Sequence, residues 1–162
     1  MAEIHPMNSI VVVPASVIEG TLSELQSAGR SKSERVVLWL GKRKDSRIHI
    51  ESLWVPEQQA GFDFFDIPQQ AMQALFGELR NRRFMVAAQV HTHPHRAFHS
   101  YADDKWAIVR HSGALSLVLP YFALQTAPST FAGDAAVFVL SPRNKWLDAT
   151  PAEVQNFYEI SP

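Results

Sequence analysis

The 162-residue chain contains no cysteine. Disulfide bonds and thiolate metal ligands are therefore excluded, and a metal site would have to use histidine and carboxylate side chains. Charged residues make up 19% of the chain, below the usual proportion of about 25%, and the formal net charge is −1. We therefore expect no nucleic-acid partner bound through bulk positive charge.

Long apolar runs, internal repeats and low-complexity segments are also lacking. No stretch approaches the ~18 apolar residues of a transmembrane helix, and the N-terminus lacks the basic and apolar regions of a secretory signal. Glycine-rich phosphate-binding motifs are absent as well. We expect a cytoplasmic protein without a membrane partner. The length and the 46% hydrophobic content predict a single domain over residues 1–162.

The apolar pattern predicts alternating strands and helices, and so an α/β (α+β) sandwich with a mixed β-sheet flanked by helices. Helices are expected over residues 14–28, from Pro68, from Ser100 and from Thr150, with a loop over 121–133. The helix from Pro68 should bury Ala71, Met72, Leu75, Phe76 and Leu79. Strands are expected over residues 9–13, 34–41, 48–55, 62–65, 84–88, 115–122, 135–140 and 145–148.

The most informative stretch is residues 90–104, which read VHTHPHRAFHSYADD and directly follow the apolar run 84–88. His91 and His93 alternate at the end of that strand, so both imidazoles point to one side, and Pro94 ends the ladder. Two neutral imidazoles on one edge are half of a zinc site. Asp103 or Asp104 is placed to complete the three protein ligands that a catalytic zinc keeps beside its open position.

Other interpretations of this stretch are simpler. His95, His99 and His111 are interpreted as ordinary polar residues. Ser100 followed three residues later by Asp103 also has the form of a helix capping box, which is common without catalysis. The two roles are compatible, because a helix start directs both side chains towards the preceding strand edge.

The His-Thr-His-Pro of residues 91–94 and the Ser-Tyr-Ala-Asp of residues 100–103 resemble the JAMM motif of MPN+ metalloproteases. In that motif a Glu precedes His-x-His-Pro and Ser-x-x-Asp. The spacer at residues 94–99 is one residue shorter than in most of the family. The Ser-x-x-Asp spacing favours Asp103 over Asp104, because residues three apart on a helix share a face.

The Glu of the family opens a strand after the first helix, in a pattern like Glu-x-x-Gly-Leu-Leu-x-Gly. Glu34 and Gly41 match the ends of this pattern, whereas Val37 replaces the first Gly. Three other acidic residues fit less well, because two lie on the first helix and one should point outward from the next strand: Glu19, Glu24 and Glu51.

The resemblance covers the chain from residue 9 to about residue 140 and implies an MPN-like fold with the chemistry of a metalloprotease. One zinc ion would be held by His91, His93 and Asp103, lowering the pKa of its bound water towards ~7. Glu34 would take the proton of that water and return it to the leaving amine. Ser100 would donate a hydrogen bond to the developing oxyanion.

The resemblance also implies a class of substrate. MPN+ relatives remove ubiquitin or ubiquitin-like proteins from lysines, and bacterial JAB-type relatives accompany small sets of E1-like, E2-like and ubiquitin-like proteins. We therefore expect a ubiquitin-like protein, as a conjugate or a precursor, with E1- or E2-like partners from the same operon. The alternatives are a metal-dependent peptidase acting on a sulfur-carrier precursor or a small cysteine adduct, and a non-catalytic MPN scaffold.

Overall fold

The computed structural model describes residues 9–98 and 108–162, and it has the predicted mixed α+β architecture. Three helices lie in these ranges: α1 (Ala15–Arg30), α2 (Gln69–Arg82) and the short α3 (Phe131–Asp134). The strands are β1 (Ile10–Pro14), β2 (Val36–Lys44), β3 (Arg47–Trp54), β4 (Gln59–Ala60), β5 (Phe65–Asp66), β6 (Met85–Thr92), β7 (Leu115–Leu119), β8 (Ala136–Leu140), β9 (Trp146–Asp148) and β10 (Tyr158–Ser161).

Eight strands form one curled sheet in the order β10-β1-β3-β2-β6-β7-β8-β9, while β4 and β5 pair separately. The sheet is mixed. Strand β2 runs antiparallel to both neighbours, β3 and β6, whereas β6 and β7 are parallel. The first six residues of β2 and all of β7 are buried, as expected for central strands covered on both faces.

Helix α1 covers one face of the sheet and begins directly after Pro14. Its buried residues Ile18, Leu22 and Leu25 are spaced along one side of the helix and pack against the cluster that contains Trp39 of β2. Trp39 also donates a hydrogen bond from Nε1 to Thr21 Oγ1 of α1, at 2.9 Å. The indole is therefore both buried in the core and hydrogen-bonded.

Helix α2 lies on the other face. Leu75 joins a second buried cluster with Val36 and Leu38 of β2 and Val86 of β6. Two details of the predicted helix are wrong. Pro68 precedes α2 as its N-cap instead of occupying its first position, and Phe76 is 48% exposed, because the apolar stripe of α2 is narrower than the sequence pattern suggests.

Two further predicted elements differ from the structure. Of the strand expected at residues 62–65, only Phe65 is in a strand, β5; residues 62–64 form the turn between β4 and β5, closed by a hydrogen bond from Gly61 N to Phe64 O at 2.9 Å. The helix expected from Thr150 is a turn followed by a 3-10 turn (Val154–Asn156) and strand β10. The capping contact is present, because Glu153 Oε1 accepts from Thr150 N and Oγ1, but Tyr158 is buried and pairs with β1.

The unassigned loop 121–133 contains α3 and an unusual turn. Tyr121, Phe122 and Ala123 have φ values of 53, 55 and 60°, so three successive non-glycine residues are left-handed. None of the helices in residues 9–98 and 108–162 is long and apolar enough to cross a membrane.

Candidate metal centre

Strands β2 and β6 bring three of the predicted site residues to one end of the sheet. Val36 lies opposite His91 in the antiparallel ladder, and Thr92 N donates to Arg35 O at 3.3 Å, so the pairing continues beyond β2. Glu34 lies two residues before Val36 and His93 two residues after His91, so both are at this same end of the sheet. Residues opposite each other in a ladder share a face. His91 therefore lies on the α2 face together with Val36, and the ring of His93 lies beside that of His91.

Both histidines are buried: His91 is 0% exposed and His93 is 4% exposed. Their ring centroids are 5.2 Å apart. Two imidazoles bound to one tetrahedral zinc through Zn–N bonds of about 2 Å would have centroids roughly 5 Å apart. The separation of the two rings and their nitrogen donors therefore fit a single metal ion held between them.

Aromatic rings surround the two histidines. Phe65 lies 5.5 Å from the His91 ring, and Phe98 meets the His93 ring edge-on at 4.4 Å, both measured between centroids. Phe62 contacts His95 at 6.0 Å. These contacts limit how far the rings can rotate, and they keep the local environment apolar, which strengthens electrostatic interactions within it.

The left-handed turn at residues 121–123 holds the backbone around His93. Phe122 N donates to His93 O at 2.9 Å, and Tyr121 N donates to His95 O at 2.8 Å. Left-handed backbone costs a non-glycine residue about 1–2 kcal/mol, so this turn is maintained by its surroundings. Gln26 of α1 contributes, because its Nε2 donates to Ala123 O at 2.9 Å.

After the motif, the chain is hydrogen-bonded back to strand β6. Gln89, two residues before His91, is buried, and its Oε1 accepts from Ile108 N at 2.9 Å. Its Nε2 donates to Ser116 Oγ at 3.1 Å. His111 Nε2 lies 2.7 Å from Val86 O, which accounts for His111 as a structural residue. No sequence motif predicts that Gln89 anchors this segment.

Glu34 is a buried carboxylate, with 5% of its surface exposed. Its backbone N donates to Gly61 O at 2.7 Å. Next to it, Gln58 pairs with Val36 twice, since Oε1 accepts from Val36 N and Nε2 donates to Val36 O, both at 2.9 Å. An unpaired buried backbone group costs about 1–3 kcal/mol, so Gln58 stabilises the start of β2. The sequence contains no motif that points to this residue.

Four predicted or weighed residues lie outside the described ranges. They are the proposed ligand Asp103, its neighbour Asp104, the proposed oxyanion donor Ser100, and His99. Within residues 9–98 and 108–162, no three His, Asp or Glu side chains are grouped closely enough to hold a metal. The part of the site that is described thus contains two adjacent imidazoles, with the buried Glu34 two residues before the neighbouring strand β2.

The fold is similar to a known structure. The solution structure of protein DSY2949 from Desulfitobacterium hafniense superposes with a TM-score of 0.66, covering 94% of this chain and 93% of that one at 14% sequence identity. At this identity the likeness concerns the fold alone. No family model matches the chain.

A curated relative supplies the family. The probable metalloprotease y4jG of Sinorhizobium fredii (strain NBRC 101917 / NGR234) is 30% identical over 155 residues, which cover 93% of this chain and 94% of the relative. The match therefore spans both strands that carry the candidate metal centre. This chain belongs to the family of the probable metalloprotease y4jG.

Proposed function

We propose that this protein is a metal-dependent peptidase of the JAMM type, with one zinc ion, that cleaves ubiquitin-like proteins from conjugates or precursors. The observation that carries the proposal is the pair of buried histidines, His91 and His93, at the end of β6, next to the start of β2, which buried Glu34 precedes by two residues. Membership of a metalloprotease family supports the peptidase reaction. The JAMM type and the substrate rest on the motif.

His91 and His93 would bind the metal, with Asp103 as the third protein ligand. When bound, such an ion would supply Lewis-acid chemistry, polarising a carbonyl and lowering the pKa of water. The two histidines contribute rigidity, because His91 lies inside the ladder and His93 N donates to Leu119 O of β7 at 3.0 Å. Rigid ligands favour one coordination geometry.

Glu34 would carry the proton. A carboxylate beside the metal site can accept a proton from the attacking water and then donate it to the leaving amine, as general base and then general acid. The backbone of Glu34 is held by Gly61 O, and its side chain is shielded from solvent.

Ser100 would donate a hydrogen bond to the oxyanion of the tetrahedral intermediate. Oxyanion donors of this kind contribute on the order of 3 kcal/mol to transition-state stabilisation. The substrate is an amide or isopeptide at the C-terminus of a ubiquitin-like protein, and E1- or E2-like proteins of the same operon are the proposed partners. This assignment rests on the resemblance of residues 91–94 and 100–103 to the JAMM motif.

The test uses ubiquitin-like proteins encoded near this gene, each fused through its C-terminus to a fluorescent reporter. Zinc-loaded protein should release the reporter, chelation should stop the release, and added zinc should restore it. Glu34→Gln should retain the metal and the fold but lose nearly all turnover, because the carboxamide preserves shape and cannot transfer the proton.

Glu51→Gln is the matched control, since Glu51 is an exposed glutamate on β3. It should cleave like the unmodified protein. Normal cleavage by Glu34→Gln would refute the assigned base. If only a sulfur-carrier fusion is cleaved, the substrate is that of the alternative function. Turnover that is unaffected by complete removal of the metal would refute the metal-dependent reaction.

A further inference from the structure

Strand β3 stops before it reaches the start of β2. Its last partner in the ladder is Trp54, opposite Leu38. Pro56 follows two residues later, and a proline has no N–H to donate to a ladder. The backbone of residues 34–36 therefore has strand β6 on one side and no strand of the sheet on the other, among the residues that the structure describes.

The Gln58 side chain takes the place of the missing strand. Its carboxamide presents an acceptor to Val36 N and a donor to Val36 O, as a residue of a neighbouring strand would. The remaining amide hydrogen is directed to Pro56 O, at 3.0 Å. This network defines the orientation of the carboxamide, because exchanging its oxygen and nitrogen would place Oε1 against two carbonyl oxygens.

The position of Val36 matters for the candidate metal centre. Val36 lies opposite the proposed ligand His91 and two residues after the proposed base Glu34. Gly61 O accepts from Glu34 N at 2.7 Å, and the Gln58 carboxamide pairs with Val36. Together they hold the backbone groups of residues 34–36 that face away from β6. A shift of Val36 along or away from β6 would move Glu34 relative to both histidines.

We propose that Gln58 is a positioning residue for the general base: its carboxamide holds Val36 in register with His91 and so sets the distance between the Glu34 carboxyl and the metal centre. This inference rests on the proposed function, in which Glu34 transfers the proton. Gln58 itself touches neither histidine ring in the contacts described, and it acts through the β2 backbone.

The experiment compares Gln58→Ala, Gln58→Glu and the control Gln59→Ala, all zinc-loaded, with the ubiquitin-like fusion found to be cleaved. Gln59 is the adjacent glutamine, is exposed, and pairs through its backbone with Asp66. Gln58→Ala should keep its zinc, because the proposed ligands lie outside β2. Its kcat should fall roughly 10- to 100-fold, as expected when a catalytic group is displaced by about 1 Å.

The pH profile separates positioning from simple loss of stability. In Gln58→Ala the acidic limb of the kcat profile should move, because the surroundings of the Glu34 carboxyl change, whereas Gln59→Ala should overlay the unmodified protein. Gln58→Glu should lose activity at neutral pH as Gln58→Ala does, since a carboxylate can accept from Val36 N but cannot donate to Val36 O. A lower Tm with an unchanged kcat and acidic limb would overturn the proposal.

A separate measurement distinguishes failure of this inference from failure of the proposed function. The Glu34 carboxyl is titrated by NMR in the unmodified protein, Gln58→Ala and Gln59→Ala. If Glu34→Gln cleaves normally, the proposed base is wrong whatever Gln58 does. If the Glu34 titration is the same in all three proteins, Gln58 does not position Glu34, even where the peptidase activity is established.

Discussion

Among single residues, Glu34 is distinguished from the other candidate acids by its burial. Glu19 and Glu51 are exposed, and Glu24 is half-buried and paired with Arg35 at 3.5 Å. In the sequence, Glu34 is favoured only by its position in a family pattern. The structure adds a physical difference between these carboxylates, because Glu34 is 5% exposed and the other three are not buried.

The identity of the carboxylate ligand can be tested directly. Asp103→Ala should abolish stoichiometric zinc binding, because it would remove the proposed third ligand. Asp104→Ala should retain zinc and lose about 10-fold or more in affinity or rate, as is usual when a supporting carboxylate is removed. Metal content is measured by mass spectrometry on dialysed protein, with circular dichroism as a control for folding. The reverse pattern would make Asp104 the ligand and leave the peptidase proposal intact.

Tyr158 carries a buried hydroxyl that has no hydrogen-bond partner within the described part of the chain. Burial raises the pKa of Tyr158 to about 12, so the folded state favours the neutral phenol. We expect Tyr158→Phe to be at least as stable at pH 7, because an unsatisfied buried polar group is costly. Urea unfolding followed by fluorescence measures this difference.

The same residue predicts a pH dependence. The folded-state pKa lies above the unfolded value of 10, so the phenol's contribution to stability is complete below pH 10 and is lost as the pH rises towards about 12. Tyr158→Phe should lack this alkaline decline. Tyr121→Phe should retain it, since Tyr121 is 45% exposed. An identical alkaline decline in stability in both variants would show that Tyr158 does not cause it.

At the scale of elements, helix α1 and the left-handed turn at residues 121–123 fit together closely. A Cβ added to Gly29 would lie 2.6 Å from Phe122 O and 2.7 Å from Phe122 Cβ. We expect Gly29→Ala to lower the free energy of unfolding by about 1–3 kcal/mol, as overpacking does. The same turn holds the backbone of His93, a proposed metal ligand. We therefore expect zinc affinity to fall as well.

Gly77→Ala is the matched control for this prediction. Gly77 is also within a helix, but a Cβ added there would have no atom of a neighbouring element within 4 Å. Alanine is a better helix former, so this variant should gain about 0.5–1 kcal/mol and leave zinc binding unchanged. Equal stabilities for the two variants in urea titrations would show that the turn yields to the added methyl group.

The elements that the sequence predicted well are those with strong apolar periodicity. Helix α1 and strands β2, β3, β6 and β8 occur within a few residues of the predicted ranges. The predicted C-terminal helix was wrong because the capping contact at Thr150 is local, whereas Tyr158 gains burial and backbone pairing with β1. Tertiary pairing of this kind outweighs local helix signals.

At the scale of the whole molecule, metal binding should stabilise the fold. A ligand present at 100 times its Kd stabilises the state it binds by about 2.7 kcal/mol, which corresponds to a rise in Tm of roughly 5–10 °C for a protein of this size. Differential scanning calorimetry with zinc and with chelator should show this shift. His91→Ala with His93→Ala should remove it, and a shift that survives in the double variant would place the metal elsewhere.

By itself, the sequence determined the mixed α+β class and the alternation that sets His91 and His93 on one side of a strand, because hydrophobic periodicity and the two-residue repeat of a strand are local properties. The tertiary structure decided that Glu34 is buried, that Gln58 replaces a missing strand beside Val36, and that a left-handed turn holds the His93 backbone. Each of these depends on contacts between residues far apart in the chain. These contacts gain their free energy from burial and pairing between distant residues, so no local sequence pattern predicts them.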